Sequence, residues 1–182
     1  MDKAYDHKIV EDKIYKMWED GDYFSPKISK GKKPFSIILP PPNANAPLHF
    51  GHAMYVIEDL LIRFHRMKDD PTLWLPGADH AGFETQFVFE KHLQKEGKSR
   101  MDYDRETLYQ MIWDFVQKNR LGMEDQLRKL GFSLDWSRKK FTLDKDIIAI
   151  VYKTFKKMYE DKLIYRGERL VNYCTYCGTS FS

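Results

Sequence analysis

The chain has 182 residues, enough for one domain with a sizeable core, or for one domain and an appendage. Hydrophobic residues make up 42% and charged residues 31%, which excludes a disordered tail, and no run approaches the ~18 consecutive apolar residues of a membrane span. A net charge of +3 is too small to predict nucleic-acid binding from bulk charge, the N-terminus lacks the apolar segment of a secretory signal, and two cysteines in one CxxC make no disulfide framework, so the expected setting is cytoplasmic.

Residues 5–20 read as a helix with Ile9, Val10, Ile14, Met17 and Trp18 on one stripe, stopped by Gly21. Residues 29–33, SKGKK, read as a solvated basic loop. The apolar run Ile37, Ile38, Leu39 then predicts a buried strand, halted by Pro40, Pro41 and Pro42, none of which has an N–H for a ladder. A polar turn over residues 43–47 leads into a helix beginning near Leu48 or His49. Its apolar positions Phe50, Ala53, Met54, Ile57, Leu60, Leu61, Phe64 and Met67 are expected to face inward. His49 and His52, three apart, share one face of its first turn, with Gly51 between them. Such a pair is more often two surface or core histidines. A strand, a tight turn and a helix start bearing two histidines and a bare glycine nevertheless form a phosphate-binding arrangement.

A second strand is expected at residues 72–75, closed by Pro76-Gly77. The intervening helix supplies the crossover that parallel neighbours need, giving a right-handed β-α-β unit of a doubly wound sheet. Ligands in such sheets bind outside the carboxyl ends of the strands, so residues 40–52 and 76–86 should face one crevice, with His49 and Asp79 lining it. On spacing alone Asp79 is a helix N-cap; the functional alternative is a carboxylate that holds an ammonium group. A helix from Thr85 to about Lys95 should turn Phe87, Val88 and Leu93 inward. After a polar linker at residues 96–102, residues 104–130 are expected to form a long helix with Leu108, Met111, Ile112, Phe115, Met123, Leu127 and Leu130 at helical spacing and Gly122 as a point of kinking or breaking. Residues 131–137, GFSLDWS, are either a turn anchored by an aromatic residue or a substrate-facing segment. Residues 144–159 read as a helix packed in the core, and residues 163–165 and 169–173 as short strands. Cys174 and Cys177 are half a zinc knuckle; four ligands are needed, and no second pair follows.

The run PPPNANAPLHFGHA at residues 40–53 resembles the HIGH signature of the class I aminoacyl-tRNA synthetases, in the form used by the valine, isoleucine and leucine group. Within that group, PGADHAG followed by Thr85-Gln86 is similar to the valine-specific pattern, and residues 131–137 are similar to an LGxSxDW segment. The resemblance implies an α/β fold, the first half of a Rossmann-like parallel sheet with flanking helices, interrupted where an editing insertion would begin. The implied divisions are residues 1–33 (helix and basic loop), 34–168 (catalytic half-domain) and 169–182 (start of the insertion).

The same resemblance implies that His49 and His52 contact the phosphates, within an ATP site of Pro42, Asn43, His49, Gly51 and His52. Gly51 would leave room for adenine or ribose against its backbone. Pro41, Pro42 and Asn43 would wall the amino-acid pocket, and Asp79 would hold the amino group. It implies ATP with Mg2+ as its complex, valine and tRNA(Val) as partners of a monomeric full-length enzyme, and zinc only with ligands beyond this chain. The second signature of the class, Lys-Met-Ser-Lys-Ser, is absent, so the chain reads as an N-terminal fragment, weakly active or inactive alone.

Three departures concern the loops: Ala46 and Asp69 stand where glycines are usual, and Phe83-Glu84 where Ile-Ala is usual. The alternatives are an isoleucyl- or leucyl-type enzyme, or a cytidylyltransferase-like nucleotidyltransferase, which shares His-x-Gly-His but not the other motifs. A zinc- or RNA-binding module would leave both punctuated loops unexplained.

Overall fold

The computed structural model describes residues 4–28, 30–175 and 178–180, which form two compact units, Met1–Asp144 and Lys145–Ser182. In the first unit, β1 (Phe35–Ile38) runs parallel to β2 (Thr72–Leu75), with Phe35 opposite Thr72 and Ile38 opposite Leu75. The two are joined through a short 3-10 turn, Phe50–Ala53, and α2 (Met54–Met67), which packs on both strands. Before β1 lies the helix α1 (His7–Asp20). The expected parallel pair with a helical crossover is therefore present.

Beyond Leu75 the chain continues through Pro76 into β3 (Gly77–Ala78), parallel to β4 (Lys140–Phe141). Alternation of backbone groups along a strand makes residues 71–79 the central track. The odd-numbered carbonyls of Pro71 and Leu75 accept from Phe35 and Leu39. The even-numbered carbonyls of Trp74, Pro76 and Ala78 accept from Asp135, Lys140 and Thr142 on the other side. Leu39, Tyr55, Ile62, Trp74, Leu127, Phe132 and Leu134 close around this track as one apolar cluster. A second cluster, Ala44, Ala78, Val116, Met123 and Phe141, lies toward the strand ends.

The face that α2 buries differs from the expected one. Tyr55, Asp59 and Ile62 are buried, whereas Phe50, Met54, Ile57, Leu60, Leu61, Phe64 and Met67 are exposed in this chain. Polar compensation decides this. Asp59 accepts from the Ser133 backbone N–H (3.0 Å), from the Ser133 hydroxyl and from Arg63 Nε (2.6 Å), while Arg63 also donates to the Gly131 carbonyl. Arg66 donates to the carbonyls of Phe24 and Ser133, and burial pulls its guanidinium down to about 10. A carboxylate so supplied with donors is tolerated in the interior, where an unpaired one would cost several kcal/mol. These bonds also decide between the two readings of residues 131–137. Ser133, Leu134 and Asp135 are buried and bonded into the core, and Asp135 caps the turn Trp136–Arg138, so the segment is an anchored turn.

The helix α1 likewise keeps Ile9, Ile14 and Met17 exposed. It docks instead through Tyr15, whose hydroxyl donates to the Phe132 carbonyl (2.8 Å) and accepts from the Trp136 indole (2.7 Å). The next helices are α3 (Gly82–Lys95), which buries Thr85, Phe89 and Leu93 with Phe87 exposed, and α4 (Arg105–Lys129), which buries Val116, Met123 and Leu127. Gly122 does not break α4, and Leu130 is exposed.

The second unit contains α5 (Lys145–Glu160), which buries no residue, contrary to its expected core role. The strands expected at residues 163–165 and 169–173 are not formed. Only β5 (Tyr173–Cys174) is, paired antiparallel with β6 (Thr179–Ser180). Cys177 lies outside the described residues, and with it the CxxC reading; so does Ser29 of the basic loop.

The departure at Asp69 has a backbone consequence. Its φ is +60°, a left-handed conformation that a side chain strains and glycine adopts freely. Asp69→Gly is therefore expected to raise stability by about 1 kcal/mol, measured as a higher denaturant midpoint at unchanged m-value. Phe83 and Glu84, by contrast, are exposed on the first turn of α3, where an acidic residue favours the helix dipole.

Candidate active site

The proline run ends the β1 ladder but does not leave the backbone adrift. Pro40 and Pro42 still have carbonyls, and both are used. The Tyr55 hydroxyl donates to Pro40 O (2.7 Å), and the Asp79 N–H donates to Pro42 O (2.9 Å). The Ala44 N–H returns a bond to Asp79 O (2.8 Å), so Asn43 and Asp79 form an isolated parallel bridge beyond the strand ends. Burial pushes the Tyr55 phenol up to about 12, which keeps it a protonated donor across the physiological range.

The helix start differs from its expected form. His49 is an N-cap in extended conformation (φ −132°), and the turn it caps, Phe50–Ala53, is 3-10 before α2 begins. His49 Nδ1 accepts from the Gly51 N–H (3.0 Å) and His52 Nδ1 from the His49 N–H (3.0 Å), a reciprocal capping box built from two imidazoles. The Leu48 N–H, just before it, is held by Gln126 Oε1 of α4 (2.9 Å).

This arrangement has a chemical consequence. A backbone amide can only donate, so each Nδ1 is an acceptor, and the neutral ring carries its proton on Nε2. The His49 carbonyl, 3.1 Å from His52 Nδ1, already accepts from the His52 N–H (2.9 Å). The two rings lie 4.2 Å apart between centroids, tilted by 55°. Two Nε2–H donors thus stand side by side, while the amide of Gly51 is occupied internally. An anion here would be met by imidazole N–H groups more than by the helix-start backbone.

Gly51 has a reason for being glycine within the chain itself. A Cβ there would fall 2.7 Å from His49 Cε1 and 3.0 Å from its Nδ1. Gly51→Ala is expected to swing the His49 ring out, open the cap and cost about 1 kcal/mol of stability. Denaturant unfolding measures the cost, and a changed His49 ring signal in the NMR spectrum reports the movement.

A cleft of about 420 Å³ is lined by Pro41, Pro42, Asn43, His49, Gly51 and His52, together with Pro40, Asn45, Ala46, Pro47, Met54 and Tyr55. All the residues expected at a nucleotide or amino-acid site except Asp79 therefore meet around one space. Asp79 stands beside the cleft and is joined to it through the Asn43 bridge, so the common crevice expected of His49 and Asp79 is realised only through the backbone. Asp79 does not cap α3; Ala81 does, in a left-handed conformation (φ 50°) with no side-chain bond. Instead, Asp79 Oδ1 accepts from the Thr142 hydroxyl (3.0 Å).

Nothing in the sequence marks Tyr55, Gln126 or Thr142 as part of the site. None belongs to a motif, and each acts from an element distant in sequence or from the next turn of a helix. Among the described residues no group of three His, Cys, Asp or Glu side chains is placed to hold a metal ion, and no helix is long and apolar enough to cross a membrane.

A parallel strand pair with a helical crossover, its first strand followed by paired histidine donors and bridged there to an aspartate loop after the second, is an α/β arrangement. The family model for tRNA synthetases class I (I, L, M and V) matches residues 13–182, and the chain belongs to that family. The cytidylyltransferase alternative falls with that match.

The chain is 46% identical over 183 aligned residues to the valine–tRNA ligase of Dehalococcoides mccartyi (strain CBDB1), covering 100% of this chain and 21% of that one. It is 45% identical over 181 residues to the valine–tRNA ligase of Clostridium tetani (strain Massachusetts / E88), covering 99% and 21%. It thus spans about a fifth of the length of the curated relatives it matches. The crystal structure of the Agrobacterium radiobacter K84 LeuRS–tRNA–LeuAMS ternary complex shares the fold, with a TM-score of 0.78 at 22% identity, covering 97% of this chain and 21% of that one.

Proposed function

We propose that the chain carries the His-x-Gly-His half of the amino-acid-activation site of a valine–tRNA ligase, with ATP and its Mg2+, valine and tRNA(Val) as substrates of a monomeric cytoplasmic enzyme. In this reading residues 34–168 are the first half of a Rossmann-like catalytic domain, preceded by a helix and loop at 1–33 and followed at 169–182 by the start of an editing insertion. The observation that carries it is the bridge between Asn43 and Asp79, which ties the histidine-lined cleft to the aspartate loop.

In the reaction the valine carboxylate attacks the α-phosphorus of ATP. A carboxyl O–P bond forms, the bond to the bridging oxygen breaks, and pyrophosphate leaves with the electron pair. Negative charge builds on the phosphoryl oxygens, and the Nε2–H groups of His49 and His52 are donors aimed at it without reorganisation. Asp79 takes the valine ammonium, while Pro41, Pro42 and Asn43 form one wall of the pocket. Such an apolar pocket rejects threonine only ~100-fold, which is the physical reason for a separate editing site.

The test is a chimaera in which this chain replaces the matching first fifth of the Dehalococcoides mccartyi ligase. Valine-dependent ATP–pyrophosphate exchange is expected. Exchange driven by isoleucine or leucine in preference to valine would overturn the substrate, and no exchange from a folded chimaera would overturn the site.

A further inference from the structure

Thr142 follows β4 and belongs to no motif, yet its hydroxyl gathers the aspartate loop. Its N–H donates to Ala78 O (3.2 Å), which sets it beside Asp79 and His80. Its Oγ1 lies 3.0 Å from Asp79 Oδ1, 2.9 Å from the His80 backbone nitrogen and 2.6 Å from His80 Nδ1. A threonine hydroxyl has one proton and two lone pairs. An ionised carboxylate can only accept, so the proton goes to Asp79. The His80 amide can only donate, so it takes one lone pair. The remaining lone pair faces Nδ1, and a 2.6 Å contact there is attractive only if Nδ1 carries a proton; Asp79 Oδ1, 3.4 Å from the same nitrogen, favours that proton too.

We infer that Thr142 is a positioning residue that occupies Asp79 Oδ1 and fixes the His80 ring with its proton on Nδ1, leaving Asp79 Oδ2 and His80 Nε2 as a pair of acceptors for the N–H groups of a substrate ammonium. The part played by the ammonium rests on the proposed activation site; the tautomer does not. Imidazole free in water favours the proton on Nε2, so His80 is held in its minor form, opposite to His49. Among the described residues no hydrogen bond reaches Asp79 Oδ2 or His80 Nε2. A Cβ at Gly82 would lie 3.8 Å from His80 Nε2, so the ring rests across the start of α3. The left-handed Ala81 holds the backbone there in a conformation that costs about 1 kcal/mol or more outside glycine.

The experiment has two arms. With 15N-labelled histidine and the six His signals of the chain resolved above about pH 8, multiple-bond NMR should report His80 with its proton on Nδ1. T142V should shift the population toward the Nε2–H form, against the weaker pull of Asp79 Oδ1 at 3.4 Å, and T142S should preserve the Nδ1–H form. A wild-type His80 carrying its proton on Nε2 overturns the inference even if T142V does not fold, as does a folded T142V with an unchanged tautomer.

In the chimaera, T142V should raise KM for valine about tenfold with a smaller change in kcat, and T142S should recover it. If the tautomer is as stated but the wild-type chimaera has no valine-dependent exchange, the proposed function fails and the Thr142 geometry stands. If exchange is present and T142V leaves KM unchanged, the positioning role is overturned.

Discussion

Replacing His52 with alanine is expected to lower valine-dependent ATP–pyrophosphate exchange by the chimaera by about 10²-fold, in kcat, with KM for valine little changed. The size follows from the removal of one preorganised donor to charge that develops in the transition state, worth about 10² to 10³ in kcat. The lower end applies because His49 stands 4.2 Å away, ring to ring, and keeps its own Nε2–H. The substitution also frees the His49 N–H, which His52 Nδ1 accepts, so some disorder of His49 belongs to the effect. His52→Asn, which can restore a short-range acceptor to that amide without an imidazole N–H in the cleft, separates the two contributions. Exchange left intact by His52→Ala would remove the histidine from the chemistry.

Element type was legible in the first unit wherever periodicity and punctuation agree, and direction was not; in the second unit the short strands read at residues 163–165 and 169–173 are not formed. The parallel pair β1 and β2 follows from two short apolar runs closed by Pro40 and Pro76 and separated by a helix-length segment. The helical period of α2 was equally plain, but its buried face was not. Hydrophobic spacing selected Met54, Ile57, Leu61 and Phe64, whereas the chain buries Tyr55, Asp59 and Ile62. A buried Asp59 is affordable only because Ser133, 74 positions away, and Arg63 supply its donors, and no local window contains that fact.

The candidate site shows the same division. Pro41, Pro42, Asn43, His49, Gly51 and His52 line the cleft and stand in one continuous motif, which marks them. Tyr55 and Thr142 act through side-chain hydroxyls that donate to the Pro40 carbonyl and the Asp79 carboxylate, partners that no local pattern of residue types reveals. The capping role of His49 was hidden for a related reason: its Nδ1 does the work that serine or aspartate oxygens usually do at a helix start.

The contrasting prediction concerns Asp79. Asp79→Ala in the chimaera is expected to raise KM for valine by about 10²-fold, the cost of leaving an ammonium group without its charged partner, while kcat falls less than in His52→Ala. The carboxylate sits beside the cleft and about a third exposed, so part of the charge deficit is screened by water; this caps the loss well below that of a fully buried pair. Removing it also strips the Thr142 hydroxyl of its acceptor, and the proton is then free to turn toward His80 Nδ1. Asp79→Asn keeps an acceptor for Thr142 and loses only the negative charge. It should therefore show most of the KM effect with the chain as stable as wild type by denaturant unfolding. A KM for valine unchanged in both variants would take Asp79 out of substrate recognition, and identical kinetic losses in Asp79→Ala and His52→Ala would mean that the cleft and the aspartate loop fail as one structural unit, with no division of labour between phosphate and ammonium.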